Sequence, residues 1–481
     1  MNVLDRELLL KVARQAMEDY GLEPDFSAAA VQQAASMSHA TVRWEPDAKD
    51  LRHLPWSSID NPESRDLDQI EAVEEQPDGG WRLYVAIAQV GRCIETGSPV
   101  DLHAGANTTS VYTGVQVFTM LPEQLSYGLT SLLPDGDRAV LVMDMRVDSG
   151  GVVREGTVYP AVARNKAKLN YPAISAWLDS GAAPAELRDS PELQRQIHAQ
   201  DALAQALRKR RMAAGALDLD TAELRPVLDA EGQVVGLEPR EQDRAGAIIE
   251  ELMIAANETV VQHLEANGAP AILRVVRKPE HWDSIVEYAG GRGVQLPAEP
   301  DSKALAEFLQ RMRERRPHEF HEISLAIVKL IGRGEYVARQ PGAPPVGHFG
   351  LAAPAYGHAT APNRRYPDVI MQRLLAGDKF ASDGLEEIAA HCSAMERQAD
   401  KVERRVRKSI AAALIAHRSG EVFEGVITKA TDEGLFVHVF HPAIEGMIVQ
   451  HHRPARVGDK VRARLLRVDI EQSEIDFALV D

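Results

Sequence analysis

The 481-residue chain predicts an α+β protein of several domains, and three observations carry that prediction. Alternating apolar and polar runs with turn-forming residues fill the stretch from about residue 50 to 165. Long segments at helical spacing dominate from about 165 to 415, and five short strand-like runs crowd into the last sixty or so residues. The boundaries expected are a small helical module over 1–45, an α+β body over 46–417 and a small barrel over 418–481.

In the first segment Val3, Leu4, Leu8, Leu9, Val12, Ala13 and Ala16 recur at helical spacing, and Pro24-Asp25-Phe26-Ser27 breaks the pattern before a second Ala-rich helix. That arrangement is helix-turn-helix-like, and equally compatible with nucleic-acid contact or with packing, since no basic recognition face stands out. In the body, Gln76-Pro77-Asp78-Gly79-Gly80 is a strong turn signal between two strands, and the clearest helices run from Ala245 to Leu264 and from Asp383 to His417. The five closing strands are read at 425–427, 434–439, 445–449, 457–461 and 464–468, a count and length suited to an OB-type barrel. Phe423, Phe436 and His438 then either offer flat faces to unpaired bases beside the basic 453–467 run or fill the barrel core.

An apolar content of 44% suffices for packed cores without covalent staples, and the two cysteines, Cys93 and Cys392, are too few for a disulfide framework. The first residues carry charges inside their apolar pattern, unlike a signal peptide, and no run approaches the ~18 apolar residues of a membrane span. A soluble cytoplasmic protein with no membrane association is therefore expected. The net charge of −17 argues against a general nucleic-acid binder. The cations are nevertheless bunched at Arg208–Arg211, Arg364-Arg365, Lys401–Lys408 and Arg453–Arg467, which is compatible with one guided polyanion path or with solvated helix faces.

The most informative stretch is Ile59-Asp60-Asn61-Pro62-Glu63-Ser64-Arg65-Asp66-Leu67-Asp68-Gln69, followed by Glu71-Ala72-Val73-Glu74. Three aspartates fall in nine residues, broken by Pro62 and followed by the alternating Trp81–Ile87, so they lie on a turn beside strands. Clustered carboxylates on a loop suit Mg²⁺, which keeps several waters and is usually held by one or two protein carboxylates plus substrate phosphate oxygens. The same residues are ordinary turn formers, so spacing alone leaves a solvated loop as the alternative.

A wider set of ordered matches decides between these. Leu54-Pro55-Trp56 through Asp68, Tyr112 with Met120–Ser126, Ser131-Leu132 with Asp137-Arg138, Lys166–Tyr171, Ile249–Asn257 and Tyr356–Asp368 follow one another as in the ribonuclease II family. From about residue 50 to the end the chain resembles that family. The resemblance implies an RNB-type catalytic domain, a C-terminal five-stranded OB-fold (S1) barrel and the small N-terminal helical module. It also implies a monomeric exoribonuclease that hydrolyses single-stranded RNA processively from its 3′ end to nucleoside 5′-monophosphates, with Mg²⁺ or Mn²⁺ as cofactor. Asp60, Asp66 and Asp68 occupy the acidic positions that hold metal, and Arg364 matches the arginine that grips the phosphate. Tyr171 and Glu250 match residues that hold the 3′-terminal nucleotide through base and sugar, and Tyr112 matches an aromatic against which more distal nucleotides stack.

Three departures accompany the resemblance. Gln69 stands where a fourth aspartate is usual, bringing an amide oxygen to the metal set but no charge. Leu219 stands where relatives often carry a base-sandwiching aromatic. The roughly 50 residues ahead of the catalytic region are too few and too helical for the cold-shock barrels usual there. The expectation that follows is a more open entrance, with digestion extending into duplexes that bear a 3′ overhang.

Overall fold

The computed structural model describes residues 6–38, 45–134, 136–181, 183–220, 224–228, 234–239, 243–277, 279–344, 346–431, 434–440, 443–450 and 455–480. Val3, Leu4 and Arg453 among the residues singled out above lie outside this set.

The body is built on a seven-stranded mixed sheet. From edge to edge its strands are Lys49–Asp50, Val153–Arg164, Asp137–Val147, Trp81–Ala88, Gln69–Glu75, Ser57–Asp60 and Ala167–Asn170. The expected turn closes the central hairpin: the Gln76 N–H donates to the Gly80 carbonyl at 2.8 Å, and Gly79 supplies the positive φ of +79°. The Ser57 strand runs antiparallel to the Gln69 strand and parallel to the Ala167 strand, with Asp60 opposite Asn170. The chain therefore leaves both parallel strands at one end of the sheet, where Asp60 and Tyr171 stand.

Helix Arg244–Ala266 lies across this sheet, capped by the Asp243 carboxylate on the Gly246 N–H, and contributes Ile248, Leu252, Ala256 and Val260 to the main core. Helix Pro191–Ala213 packs beside it and seals the open edge of the Gln69 strand, where Gln196 both accepts from the Val73 N–H (2.8 Å) and donates to the Val73 carbonyl (2.7 Å). A satellite core joins helices Trp282–Gly290, Ser302–Arg315 and Phe320–Ile331 through Ile285, Phe308, Leu309 and Ile327.

The two N-terminal helices, Arg6–Asp19 and Ala28–Ser36, are formed as expected, and each packs against the body. The first lays Leu9, Ala13, Ala16 and Met17 on Val402, Val406 and Ile410 of the long helix Ser382–Ile415, while the second lies against helix Pro99–Asn107. The apolar stripe that marked them as helices is consumed by docking onto the body.

The C-terminal barrel is closed, in the order Val422–Thr431, Gly434–Phe440, Ala443–Gln450, Glu474–Val480, Lys460–Asp469. The strand count of five holds, but two runs are corrected. The pattern predicts separate strands at 457–461 and 464–468; Lys460–Asp469 is one strand, because Val461, Ala463 and Leu465 keep the inward alternation through the apparent break. The fifth strand is Glu474–Val480, with Ile475, Phe477 and Leu479 inward. Ala411, Ala412 and Ile415 of the long helix complete the barrel core and tie it to the body.

Candidate active site

The acidic loop is shaped by its own side chains. Asp60 Oδ1 accepts from the Asn61 N–H and the Ser64 hydroxyl, both at 2.7 Å, an Asx-type turn that Pro62 suits. From the neighbouring parallel strand, Lys168 Nζ donates to the Pro62 carbonyl at 2.9 Å and the Ser64 carbonyl at 2.5 Å. The next stretch is pinned at Ser131, whose hydroxyl donates to the Arg65 carbonyl (2.7 Å) and accepts from the Leu67 N–H (3.0 Å). Leu67 is fully buried, so Asp66 and Asp68 on either side of it are fixed relative to the core.

The second half of the site arrives from 295 residues downstream: the Asn363 N–H donates to Asp68 Oδ1 at 2.8 Å, and Arg364 Nε stands 3.7 Å from Asp68 Oδ2. Arg364 stays partly exposed (44%), whereas the Asp68 side chain is 3% exposed. Behind this turn, Arg365 is paired with the fully buried Asp368 at 2.7 Å, which holds the adjacent guanidinium away from the site. The Tyr112 hydroxyl donates to Asp66 Oδ2 at 3.2 Å while the residue as a whole is 42% exposed. Tyr112 thus borders the carboxylates directly and turns a ring face outward.

Burial and crowding set the protonation of these groups. Desolvation pushes Asp68 up to about 8, against the pull of Arg364 and the Asn363 N–H. Asp66 is raised by burial and then by the nearby Asp60 charge. Glu71, in the same strand as Gln69, is raised well above the usual carboxylate range by complete burial, with Asp60 adding to it. Two like charges beside a third are what a divalent cation would relieve, and the donors are all hard oxygens. Among the described residues no three His, Cys, Asp or Glu side chains stand together in an arrangement that could hold a metal ion.

The remaining expected residues separate into three groups. Tyr171 opens helix Tyr171–Ser180, capped by Asn170 on the Ala173 N–H, and is half-buried against the cluster containing Ile249; Glu250 follows Ile249 and receives Arg211 Nη2 at 3.2 Å. Both lie at the sheet end that carries Asp60. Phe436 and His438 are half-buried on the barrel exterior, with Lys429 over the Phe436 ring and His438 in register with Val426, itself opposite Lys460.

Of the two alternatives open for Phe423, the barrel core is the one found. Phe423 is 4% exposed and meets Phe477 edge-to-face inside the barrel, so it is core and offers no face to a base. Leu219 is half-buried against the satellite helix cluster and packs there. The bunched cations also change meaning: Arg208 pairs with Asp218, Arg211 with Glu250 and Glu251, and Arg405 with Asp19, so part of each of these basic runs is spent on the fold. Sequence reasoning missed Asn363, Lys168 and Arg211 as site-builders; each sat inside a quoted run, but only long-range contact reveals its role.

The elements that carry this geometry have counterparts in known proteins. The RNB domain matches residues 48–377, and the RNase II-type exonuclease C-terminal S1 domain matches 421–480. Ribonuclease R of Thermotoga maritima is 33% identical across 90% of this chain and 65% of its own length. Ribonuclease R of Escherichia coli is 30% identical across 90% of this chain and 57% of its own. The chain thus spans somewhat under two thirds of these relatives. The solved apo structure of Mycoplasma genitalium RNase R matches with a TM-score of 0.88 at 25% identity, covering 98% of this chain and 78% of that one. Structures of the same protein with ribose-methylated single-stranded RNA and with double-stranded RNA match at 0.88 and 0.86, both at 26% identity. They cover 98% of this chain and 78% and 83% of theirs. With the acidic loop and the arginine turn inside one matched span and the closed barrel inside the other, this chain belongs to the RNB domain family and ends in its RNase II-type S1 domain.

Proposed function

We propose that this chain is a metal-dependent exoribonuclease that hydrolyses single-stranded RNA processively from its 3′ end to nucleoside 5′-monophosphates. The observation that carries the reading is the junction of Asp68 with the Asn363-Arg364 turn, because it sets a buried carboxylate beside a partly exposed guanidinium. Such a pair suits a phosphodiester: the carboxylate draws a cation and the planar fork takes phosphate oxygens two at a time. Mg²⁺ or Mn²⁺ held by Asp60, Asp66 and Asp68, with the Gln69 amide oxygen, would polarise the phosphate and acidify a bound water.

The chain's own residues then position the strand. Tyr112 offers an exposed ring face anchored through its hydroxyl on Asp66. In this reading Tyr171 and Glu250 receive the terminal base and sugar, and Arg211 holds Glu250 in place. Further upstream, the outward faces of Phe436 and His438 with Lys460, Arg462 and Arg464 form the barrel's RNA-binding side, so 46–417 cleaves and 418–481 retains the polymer. A cytoplasmic setting fits the two free cysteines. Among the described residues no helix is long and apolar enough to cross a membrane.

The test is a time course on 5′-labelled single-stranded RNA with and without chelator. Metal-dependent, ladder-free shortening from the 3′ end with release of monophosphates is expected; cleavage indifferent to chelator, or internal cleavage, overturns the reading. A second reading extends it to duplexes bearing a 3′ overhang, favoured by the double-stranded RNA complex of the M. genitalium protein. Stalling several nucleotides ahead of a stable duplex removes this extension, and digestion of blunt duplexes removes the overhang requirement.

A further inference from the structure

Glu71 is fully buried, and among the described residues neither of its carboxylate oxygens has a hydrogen-bond partner. Unpartnered buried carboxylates are costly, and an apolar side chain would fill the same place without that cost. Among those residues the group caps nothing and pairs with no cation. It sits two residues after Gln69 on strand Gln69–Glu75, so the alternation of the strand puts both side chains on one face. Its cross-strand partner is Ser57, on the four-residue strand that ends in Asp60, and Asp60 is the charged neighbour that acts on it. The Ser57 hydroxyl is likewise buried without a partner among the described residues. Two orphaned oxygen-bearing side chains therefore lie beside the acidic loop, on the strand face where position 69 supplies an amide in place of a charge.

We propose that Glu71 joins Asp60 in holding the divalent cation, its carboxylate supplying the acidic charge that Gln69 does not. This rests on the reading of Asp60, Asp66 and Asp68 as the cation site. Glu71 stands about 6.7 Å beyond Gln69 on the same face, a separation comparable to the length of a glutamate side chain, and its cross-strand neighbour lies on the strand that ends in Asp60. The fold offers its carboxylate no charged partner among the described residues, so the cation is the partner its burial lacks.

The experiment measures Mn²⁺ binding to the full chain by the electron paramagnetic resonance of the free ion, without RNA, so that no turnover enters the readout. Glu71→Gln is expected to weaken Mn²⁺ at least tenfold, and Gln69→Asp added to that variant is expected to restore most of the loss. Asp68→Asn serves as the control for the site itself. If Asp68→Asn weakens Mn²⁺ and Glu71→Gln does not, the role of Glu71 is overturned and the site stands. If neither changes binding, the cation-site reading falls and this inference with it. A loss in Glu71→Gln that Gln69→Asp leaves unrestored overturns charge replacement, and a lowered melting temperature of metal-free Glu71→Gln would assign Glu71 to the fold instead.

Discussion

At the acidic loop, Asp68 is 2% exposed and is closed over by a turn that lies 295 residues away in sequence; on the barrel, Lys460, Arg462 and Arg464 stand outward along a single strand. The first arrangement gathers its parts from separate elements into low dielectric, where each group alters the others' charge. The second repeats one local pattern on a wet surface, where each cation acts nearly alone and is screened by salt. Substitutions in the body should therefore act together and steeply, and those on the barrel's outer face weakly and additively.

Asp68→Asn is the largest expected break. It should lower the cleavage rate by about a thousandfold or more while RNA affinity stays within a few-fold, because the lost charge matters most as the transition state develops. Single-turnover rates alongside filter binding separate the two, and parallel losses would make Asp68 a scaffold residue. Arg364→Lys follows, at roughly a hundredfold in rate, since a point charge cannot reproduce the two-pronged grip and Asp68 is spaced for a guanidinium. Near-normal turnover of that variant would take Arg364 out of the site.

The barrel offers a paired test. Phe423→Ala empties the core and should destabilise the barrel by about 3–5 kcal/mol, whereas Phe436→Ala should leave folding intact and weaken RNA by about 1–3 kcal/mol. Denaturant melts and binding isotherms of both variants check this, and an RNA-specific defect in Phe423→Ala with unchanged stability would contradict its placement against Phe477.

The smallest effect is one of pH. Because Asp68 is raised to about 8 from an ordinary 3.8, the metal-free folded chain holds a proton that the unfolded chain gives up between these values. That contribution to stability is complete below about pH 4 and is lost as pH rises through 8. The amide introduced by Asp68→Asn does not titrate, so this variant, free of metal, should gain a few degrees in melting temperature over the parent at pH 8, with the gain shrinking toward pH 4. Glu71 and Asp66 are raised in the same sense, so the slope is reduced and does not vanish. A gain that is equal at both pH values would assign the effect to packing.

The sequence by itself determined what local periodicity and turn chemistry can encode. Gly79 in the central hairpin, the helix expected from Ala245 to Leu264 and found at Arg244–Ala266, and the first three strands of the barrel all follow from near neighbours along the chain. The candidate acids were legible from their clustering on a turn, and Arg364 only through the resemblance to the ribonuclease II family. Only the tertiary structure decided which side of a surface each residue faces and what it meets there. Phe423 and Phe436 look alike in the sequence, yet closure of the barrel turns one inward and one outward. Arg211 looks like part of a basic track until Glu250 and Glu251 take it, and Glu71 looks like one more acid in an acidic run until the sheet buries it. Partners hundreds of residues apart leave no periodic trace, because their pairing is set by how layers pack and not by the spacing of side chains along one element.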